Sequence, residues 1–551
     1  MRRVCASFRS VGGSGPHPAS RNIGNGTVVR QRNVLWPVLT AGAFVLAAGA
    51  AHATGANSRT TGAAVAPLGL EELFKRFRID ERSVGYIALD AATGALLTAR
   101  RPDGAFVPAS AIKAPTAAMA LEVLGPAYRA ETRLYRSGSV GGGALKGDLV
   151  LVGGGDPELY TEDFLPMIRA LKKRGIRRID GRFLFDDGLF PEARALSGAH
   201  NIDAAYNPGV GALSLNFNRL RLNWRRSGKN LKAQIFSKTD KMVVPVDIVT
   251  AGVAPAGTQA RRGVVRAVVG GTPRWMVVPT TKRSGAMWVP VKRPGLVAAH
   301  VFQQLAGQHG IAVPDPERGA LPDGAALVAV HRSEPLIEAV RHFLKYSNNV
   351  ATEIIGLATT RRIAGAPLDL AQSGAAMAAW WRRQVPGADR SGLRIANHSG
   401  LSRETRISPR QMAALLRWAR NRDYAGHRLW DLMQPYWVGA GKARATRPRL
   451  RNGNHAGSRP GGSAAGRSGP VRSAMQIRGK TGTLNHARSL AGYMVTRSKR
   501  EVVFAVFLDD ERARLAAAEA GRRYRQLKPA RWAWRSRVVL NNIVRKIMLE
   551  F

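Results

Sequence analysis

From Val107 to Gly125 the chain reads Val-Pro-Ala-Ser-Ala-Ile-Lys and then Ala-Pro-Thr-Ala-Ala-Met-Ala-Leu-Glu-Val-Leu-Gly. An extended apolar approach carrying a proline runs into a helix of small residues, which Gly125 closes with an expected left-handed C-cap. Ser110 falls at the helix start and Lys113 one turn on, on the same face. That spacing brings an amine within reach of a hydroxyl. In a dry pocket beside other cations a lysine loses basicity and can accept the serine's proton near neutral pH. Any single Ser-x-x-Lys match is weak evidence, but this is the only one in the chain and two companion motifs follow it in order.

A chain of 551 residues exceeds one ordinary domain, so two or three are expected. The apolar fraction of 45% suits a globular protein. The formal charge of +47, taken alone, points to a polyanionic partner. The only cysteine, Cys5, lies in the leader, so a mature exported form has neither disulfides nor a thiol nucleophile. The histidines are scattered without ligand-like pairing, and no metal site is expected.

Residues 1–33 carry arginine and no acid, and an apolar run from Val34 to Ala51 ends in Ala51-His52-Ala53. This pattern reads as a secretory signal over residues 1–53, cleaved after Ala53. An uncleaved anchor is the alternative, since the run is nearly long enough to span a bilayer, but Pro37 and the Ala/Gly richness favour cleavage. Cleavage removes six arginines and no acid, taking the charge from +47 to +41. A linker follows over 54–67, then a first part of the catalytic domain over 68–132, with an amphipathic helix from Leu68 to Phe77. A hairpin is expected around Ala91-Ala92-Thr93-Gly94. Short strands and glycine-rich turns then mark an inserted, mostly-β region over 133–294, interrupted by one helix from Thr161 to Lys173. The second part of the catalytic domain runs over 295–551.

Within that second part, Ser347-Asn348-Asn349 lies between two helical stretches, where a break can hold both outer side chains in a cleft. A second Ser-x-Asn, Ser214-Leu215-Asn216, sits in a period-two strand pattern and is read as structural. Residues 442–475 lack any acid and nearly all apolar side chains, so a disordered basic loop is expected there. Lys480-Thr481-Gly482-Thr483 then heads a two-strand unit. The tail from Trp532 to Phe551 alternates basic and apolar residues and reads as a packing helix rather than a membrane-surface one.

With Ser110-x-x-Lys113, Ser347-x-Asn349 and Lys480-Thr481-Gly482 in this order, the chain resembles the penicillin-recognising serine enzymes. Ser110 and Ser347 are 237 residues apart, much farther than in compact serine β-lactamases. A large insertion at this point is what the D-alanyl-D-alanine carboxypeptidase/endopeptidase family of low-molecular-mass class C penicillin-binding proteins, the DacB-like serine peptidases, shows. Gly147-Asp148-Leu149, Gly155-Asp156-Pro157, Ile179-Asp180-Gly181, Ser399-Gly400-Leu401-Ser402-Arg403 and Leu490-Ala491-Gly492-Tyr493 are similar to that family as well. The resemblance covers about Leu70 to Asp509. It implies an α/β (α+β) fold of the penicillin-binding-protein/serine β-lactamase transpeptidase type, carrying the mostly-β insertion.

The resemblance also implies roles. Ser110 would attack the carbonyl of a D-Ala-D-X bond in peptidoglycan stem peptides, with Lys113 as general base. Ser347 would relay the proton to the leaving amine and Asn349 would position the substrate amide. Lys480 would supply positive charge for the terminal carboxylate, which Thr481 can hydrogen-bond. The backbone N–H groups of Ser110 and Thr483, beside Gly482, would form the oxyanion hole. β-Lactam antibiotics would act as covalent inhibitors, and no metal or cofactor is required. Asp203 lies where some relatives carry an acid that meets the substrate's free amine; a surface aspartate is the competing reading. Three departures stand out. Asn397-His398 replaces the usual Asp-Gly, the basic loop replaces a regular segment, and Pro115 falls in the second turn of the Ser110 helix, where it removes a hydrogen bond. Other functions stay open: a catalytically weak or inactive basic envelope protein with affinity for anionic wall polymers or lipid, and a β-lactamase. Nucleic-acid binding explains the charge but neither the leader nor the motifs.

Overall fold

The computed structural model describes residues 70–551 apart from 229, 256, 259–262, 280–283, 386–391, 439–475 and 520–528. The expected leader, linker and basic loop therefore lie outside the described residues. The chain opens with helix α1 (Leu70–Phe77) and the antiparallel pair β1 (Val84–Asp90) and β2 (Leu96–Arg100). Asp90 builds the turn between them by accepting the N–H groups of Ala92 and Thr93, with Gly94 at φ +80°. Five of the helices that follow the Ser110 segment are α2 (Lys113–Leu124), α3 (Leu336–Tyr346), α4 (Asn349–Ala364), α5 (Leu370–Gln384) and α6 (Pro409–Arg420). Strands β3 (Gln476–Leu484), β4 (Ala487–Val495) and β5 (Glu501–Asp509) follow, and α7 (Pro529–Glu550) ends the chain.

These strands make one antiparallel sheet in the order β3-β4-β5-β1-β2, so the first hairpin docks against the last strand. β5 is apolar from Val502 to Leu508 because both of its faces are covered. Val502, Phe504, Val506 and Leu508 point to α1 and α7, whereas Val503, Ala505 and Phe507 point to α2 and its neighbours. Truncating Phe504 to alanine would cost about 3–5 kcal/mol. α7 lays Val539, Leu540, Ile543, Val544 and Ile547 on the sheet, so the basic-apolar tail is a packing helix.

α2 is the buried axis of the helical layer. Ala114, Ala117, Ala118 and Ala120 are fully buried, and side chains this small let α3, α4 and α6 approach from several sides. Residues Ala109–Ile112 form a 3-10 turn before α2, so Pro115 sits in the first α-helical turn rather than the second, where a missing N–H costs little. The left-handed cap expected at Gly125 is corrected. Gly125 has φ 84° and ψ 149°, positive φ with an extended ψ, because the following Pro126 disfavours a helical ψ at the preceding residue.

The intervening region builds its own core from several small sheets. Leu149–Val152 and Phe183–Asp186 run parallel in a five-stranded sheet that Glu131–Arg136 and Ala326–Arg332 also join. Helix Phe164–Lys173 packs on this sheet, as does helix Pro294–Gln308 through Val297, Val301, Phe302 and Leu305. Ser214-Leu215-Asn216 is not in a strand. Asn216, Phe217 and Asn218 all have positive φ, and side-chain bonds replace a ladder: Asn216 Nδ2 donates to Thr161 and Ser237, Asn218 Nδ2 to Gly209 O and Ser214. The alternation that suggested a strand reflects burial of Leu213 and Leu215 in this core.

Candidate active site

Ser110 is half-buried in its 3-10 turn, and the chain reaches it through Ala109, a non-glycine residue at φ 48°. Two glycines from distant segments grip this turn. A Cβ on Gly482 would lie 2.3 Å from Pro108 O, and one on Gly400 would lie 1.9 Å from Ala109 O. Only hydrogen at these positions lets the edge strand and the Ser399-Gly400 turn close on the serine. Ser489 on β4 donates its hydroxyl to Pro108 O and fastens the turn further.

Lys113 is fully buried, with Nζ 3.1 Å from Ser110 Oγ, 2.9 Å from Asn349 Oδ1 and 2.6 Å from Ser399 O. Burial holds the amine well below the usual lysine range, and the Lys480 charge pushes it further down. A neutral lysine has two N–H donors and one lone pair. The two carbonyl oxygens, Asn349 Oδ1 and Ser399 O, can only accept, so they take both donors. The lone pair is then left for the Ser110 hydroxyl, the arrangement a general base needs. The Asn349 amide is oriented by its other end, since Nδ2 donates to Tyr206 O at 3.1 Å. The intervening region thus reaches into the site through a backbone carbonyl.

Ser347 sits in the two-residue break between α3 and α4, with φ 56° and ψ 37° as the left-handed end of α3. Asn348 restarts the chain as N-cap of α4, accepting the Ala351 N–H, which is worth about 1 kcal/mol. The break aims Ser347 at β3, where Lys480 Nζ donates to Ser347 Oγ at 3.0 Å and to Thr481 O at 2.9 Å. Lys480 lies within the edge strand, not at its head, and burial brings its amine down to about 7. Thr481 and Thr483 are exposed on β3, and Gly482 is buried against the Ser110 turn.

Asp203 is not a surface residue. Its side chain is buried and pairs with Arg266 at 3.1 Å. Nearby, Lys292 Nζ donates to the carbonyls of Ile202 and Asn207, which ties down the same loop.

Asn397-His398 is accommodated in a specific way. The His398 ring is fully buried over Gly356 of α4, where a Cβ would lie 2.1 Å from its Cγ. Nε2 lies 2.6 Å from Ser373 Oγ on α5, and burial lowers the imidazole to about 3, so it is neutral. Asn397 Oδ1 accepts the Ser402 N–H. Sequence reasoning quoted Ser399 only within a family-like stretch and missed Glu353, Tyr206 and Gly356 as neighbours of the site. Glu353 alone left a signal: an acid one turn after Asn349, inside the apolar stretch Val350–Leu357.

Among the described residues no cluster of metal-ligating side chains forms, and no helix is long and apolar enough to cross a membrane. The family described as D-Ala-D-Ala carboxypeptidase 3 (S13) matches residues 69–526. A D-alanyl-D-alanine carboxypeptidase of Actinomadura sp. (strain R39) is 26% identical over 441 residues, covering 77% of each chain. D-alanyl-D-alanine carboxypeptidase DacB of Haemophilus influenzae is 23% identical over 443 residues, covering 78% of this chain and 85% of that one. The crystal structure of penicillin binding protein 4 (dacB) from Haemophilus influenzae shares the fold, with a TM-score of 0.62 at 22% identity over 80% of this chain and 93% of that one. The fold is therefore that of this penicillin binding protein, mixed α/β with several sheets. With more than four-fifths of its length matched, the chain belongs to the D-Ala-D-Ala carboxypeptidase 3 (S13) family of serine-type hydrolases.

Proposed function

We propose that the protein cleaves D-Ala-D-X bonds of peptidoglycan stem peptides through an acyl-enzyme on Ser110, outside the cytoplasm. Neutral Lys113 takes the Ser110 proton as Oγ attacks the carbonyl carbon, and the carbonyl oxygen gains the negative charge. Collapse breaks the C–N bond, and the proton held on Lys113 passes by way of Ser347, which lies against Lys480, to the leaving amine, leaving Lys113 neutral again. Water then attacks the ester, releases the acid and returns the proton to Ser110. The observation that carries this reading is Lys113: fully buried, 3.1 Å from Ser110 Oγ, with two obligate acceptors on its other sides. Asn349 would hold the substrate amide, Lys480 and Thr481 its carboxylate end, and the backbone N–H groups of Ser110 and Thr483 its carbonyl oxygen, with Gly482 allowing the close approach. Asp203 is occupied by Arg266, which argues against its meeting a substrate amine.

A penicillin-binding protein of this fold, that of Haemophilus influenzae, has been crystallised in complex with a β-lactam. For this chain we expect the same chemistry. Incubation with fluorescent penicillin should give one adduct by intact mass, located on Ser110. Ser110→Ala should stay folded and give none. Labelling that survives this substitution would remove Ser110 as the nucleophile. A folded wild-type protein that takes no label would favour the catalytically inactive, envelope-binding alternative.

A further inference from the structure

Joined to Lys113 through the Ser399 backbone lies a buried carboxylate that the mechanism does not use. Glu353 is on α4, one turn beyond Asn349, and is fully buried. Its Oε1 accepts the Ser399 N–H at 2.8 Å and its Oε2 the His398 N–H at 3.0 Å. The Ser399 hydroxyl also bonds to it. The carbonyl of His398 accepts from Thr116 on α2, and that of Ser399 accepts from Lys113. Every polar backbone group of these two residues is thereby taken, the N–H groups by α4 and the carbonyls by α2. A buried carboxylate with this many donors is the fixed point from which the turn hangs.

We propose that Glu353 is a positioning residue for Lys113. By fixing the His398-Ser399 backbone it sets the Ser399 carbonyl where it takes one lysine N–H, which turns the remaining lone pair toward Ser110. This inference rests on the reading of Lys113 as the general base. Glu353 also acts through charge. The charged groups facing Lys113 are Lys480 from β3, which depresses its basicity, and Glu353 from α4, which raises it. The His398 ring on the neighbouring turn is neutral. Burial pushes the Glu353 carboxyl up, and its N–H and hydroxyl donors pull it back toward the ionised form.

The test is the rate of acylation by fluorescent penicillin, measured against pH, for wild type and Glu353→Gln, with circular dichroism as the check on folding. Gln removes the charge and turns a donor toward one of the two N–H groups. The plateau rate should fall about tenfold or more. The acid limb should move to lower pH by roughly 0.5–1 unit, because a lysine without its carboxylate neighbour stays neutral further into acid. A purely structural role predicts the opposite shift, since a loosened site admits water and restores an ordinary lysine. A limb that is unmoved or moves to higher pH overturns the proposal. Should Glu353→Gln fail to fold, Glu353→Asp, which keeps the charge but shortens the reach, should keep the wild-type limb and lose about fivefold or more in plateau. A plateau within twofold of wild type would overturn it. If wild type labels elsewhere than Ser110, the underlying reading fails instead, and adduct mapping separates the two.

Discussion

Placing a methyl group on Gly356 tests how the His398 turn is seated. The added Cβ would lie 2.1, 2.2 and 2.6 Å from Cγ, Cδ2 and Nδ1 of the His398 ring. Ordinary carbon contacts are about 3.5–4.0 Å, so the ring must retreat by roughly 1.5 Å. It has no free path, being fully buried with Nε2 on Ser373 and Nδ1 3.3 Å from Met377 Sδ. Overpacking of this kind costs about 1–3 kcal/mol, and losing the ring's hydrogen bond in a buried site adds about 1–3 kcal/mol. Gly356→Ala should therefore destabilise the protein by about 2–6 kcal/mol, read as a lower midpoint in urea by tryptophan fluorescence. Trp380, Trp381 and Trp418 form a packed cluster on α5 and α6 that reports on this layer. The same displacement drags the backbone that supplies Ser399 O to Lys113, so labelling by fluorescent penicillin should slow as well. His398→Gly removes the obstacle, at its own cavity cost, and the double variant Gly356→Ala/His398→Gly should recover at least about 1.5 kcal/mol relative to the sum of the single effects. Additivity within about 0.5 kcal/mol would refute the claim that ring and glycine occupy one another's space.

Two further outcomes follow from the site. Ser347→Gly removes one of the two acceptors of Lys480 while relieving a left-handed serine, so labelling should fall about 10²–10⁴-fold with stability unchanged or up by as much as about 1 kcal/mol. A labelling rate within tenfold of wild type would exclude Ser347 from proton transfer. Lys480, whose amine is brought down to about 7, is mostly neutral at pH 8 in the free protein and should gain a proton when a substrate carboxylate binds. In titration calorimetry of Ser110→Ala protein with a peptide ending in D-Ala-D-Ala, the heat at pH 8 should vary with buffer ionisation enthalpy, corresponding to uptake approaching one proton, and at pH 6 it should not. Equal heats in all buffers at pH 8 would contradict the role of Lys480.

What was legible in the chain was what depends on local spacing. Ser110 and Lys113 are one turn apart, the Asp90–Gly94 turn carries its own chemistry, and the Ser347–Asn349 break lies between two apolar-periodic helices. What was illegible depends on partners far away in sequence. Nothing near Gly356 announces the ring of His398, and nothing near Glu353 announces that residues 398–399 will place two N–H groups on it. Alternation misled at Ser214-Leu215-Asn216, because buried leucines two apart, Leu213 and Leu215, occur equally in a side-chain-bonded turn. Texture also gave no warning that helix Pro294–Gln308 and strand Ala326–Arg332 pack with the intervening region, since a helix pattern shows which face is apolar but not which core receives it.

The two serines share a structural condition that bears on how the site is maintained. Ser110 follows Ala109 at φ 48°, and Ser347 itself is at φ 56°. Each such residue costs about 1–2 kcal/mol relative to ordinary backbone, and neither is glycine. The strain persists because later segments over-determine it: Gly400 and Gly482 close on the Ala109 turn, Asn348 caps α4 directly after Ser347, and β3 meets both serine segments at once. Lys113 and Lys480 add a second cost, two amines taken out of water within one cleft, balanced by a single buried carboxylate. Strain and burial fall on the same few residues because they serve one end. A hydroxyl held out of ordinary geometry beside a dry amine has little left to reorganise when a carbonyl arrives, and the stability given up to hold it there is supplied by a sheet buried on both faces and a helix of small residues at its centre.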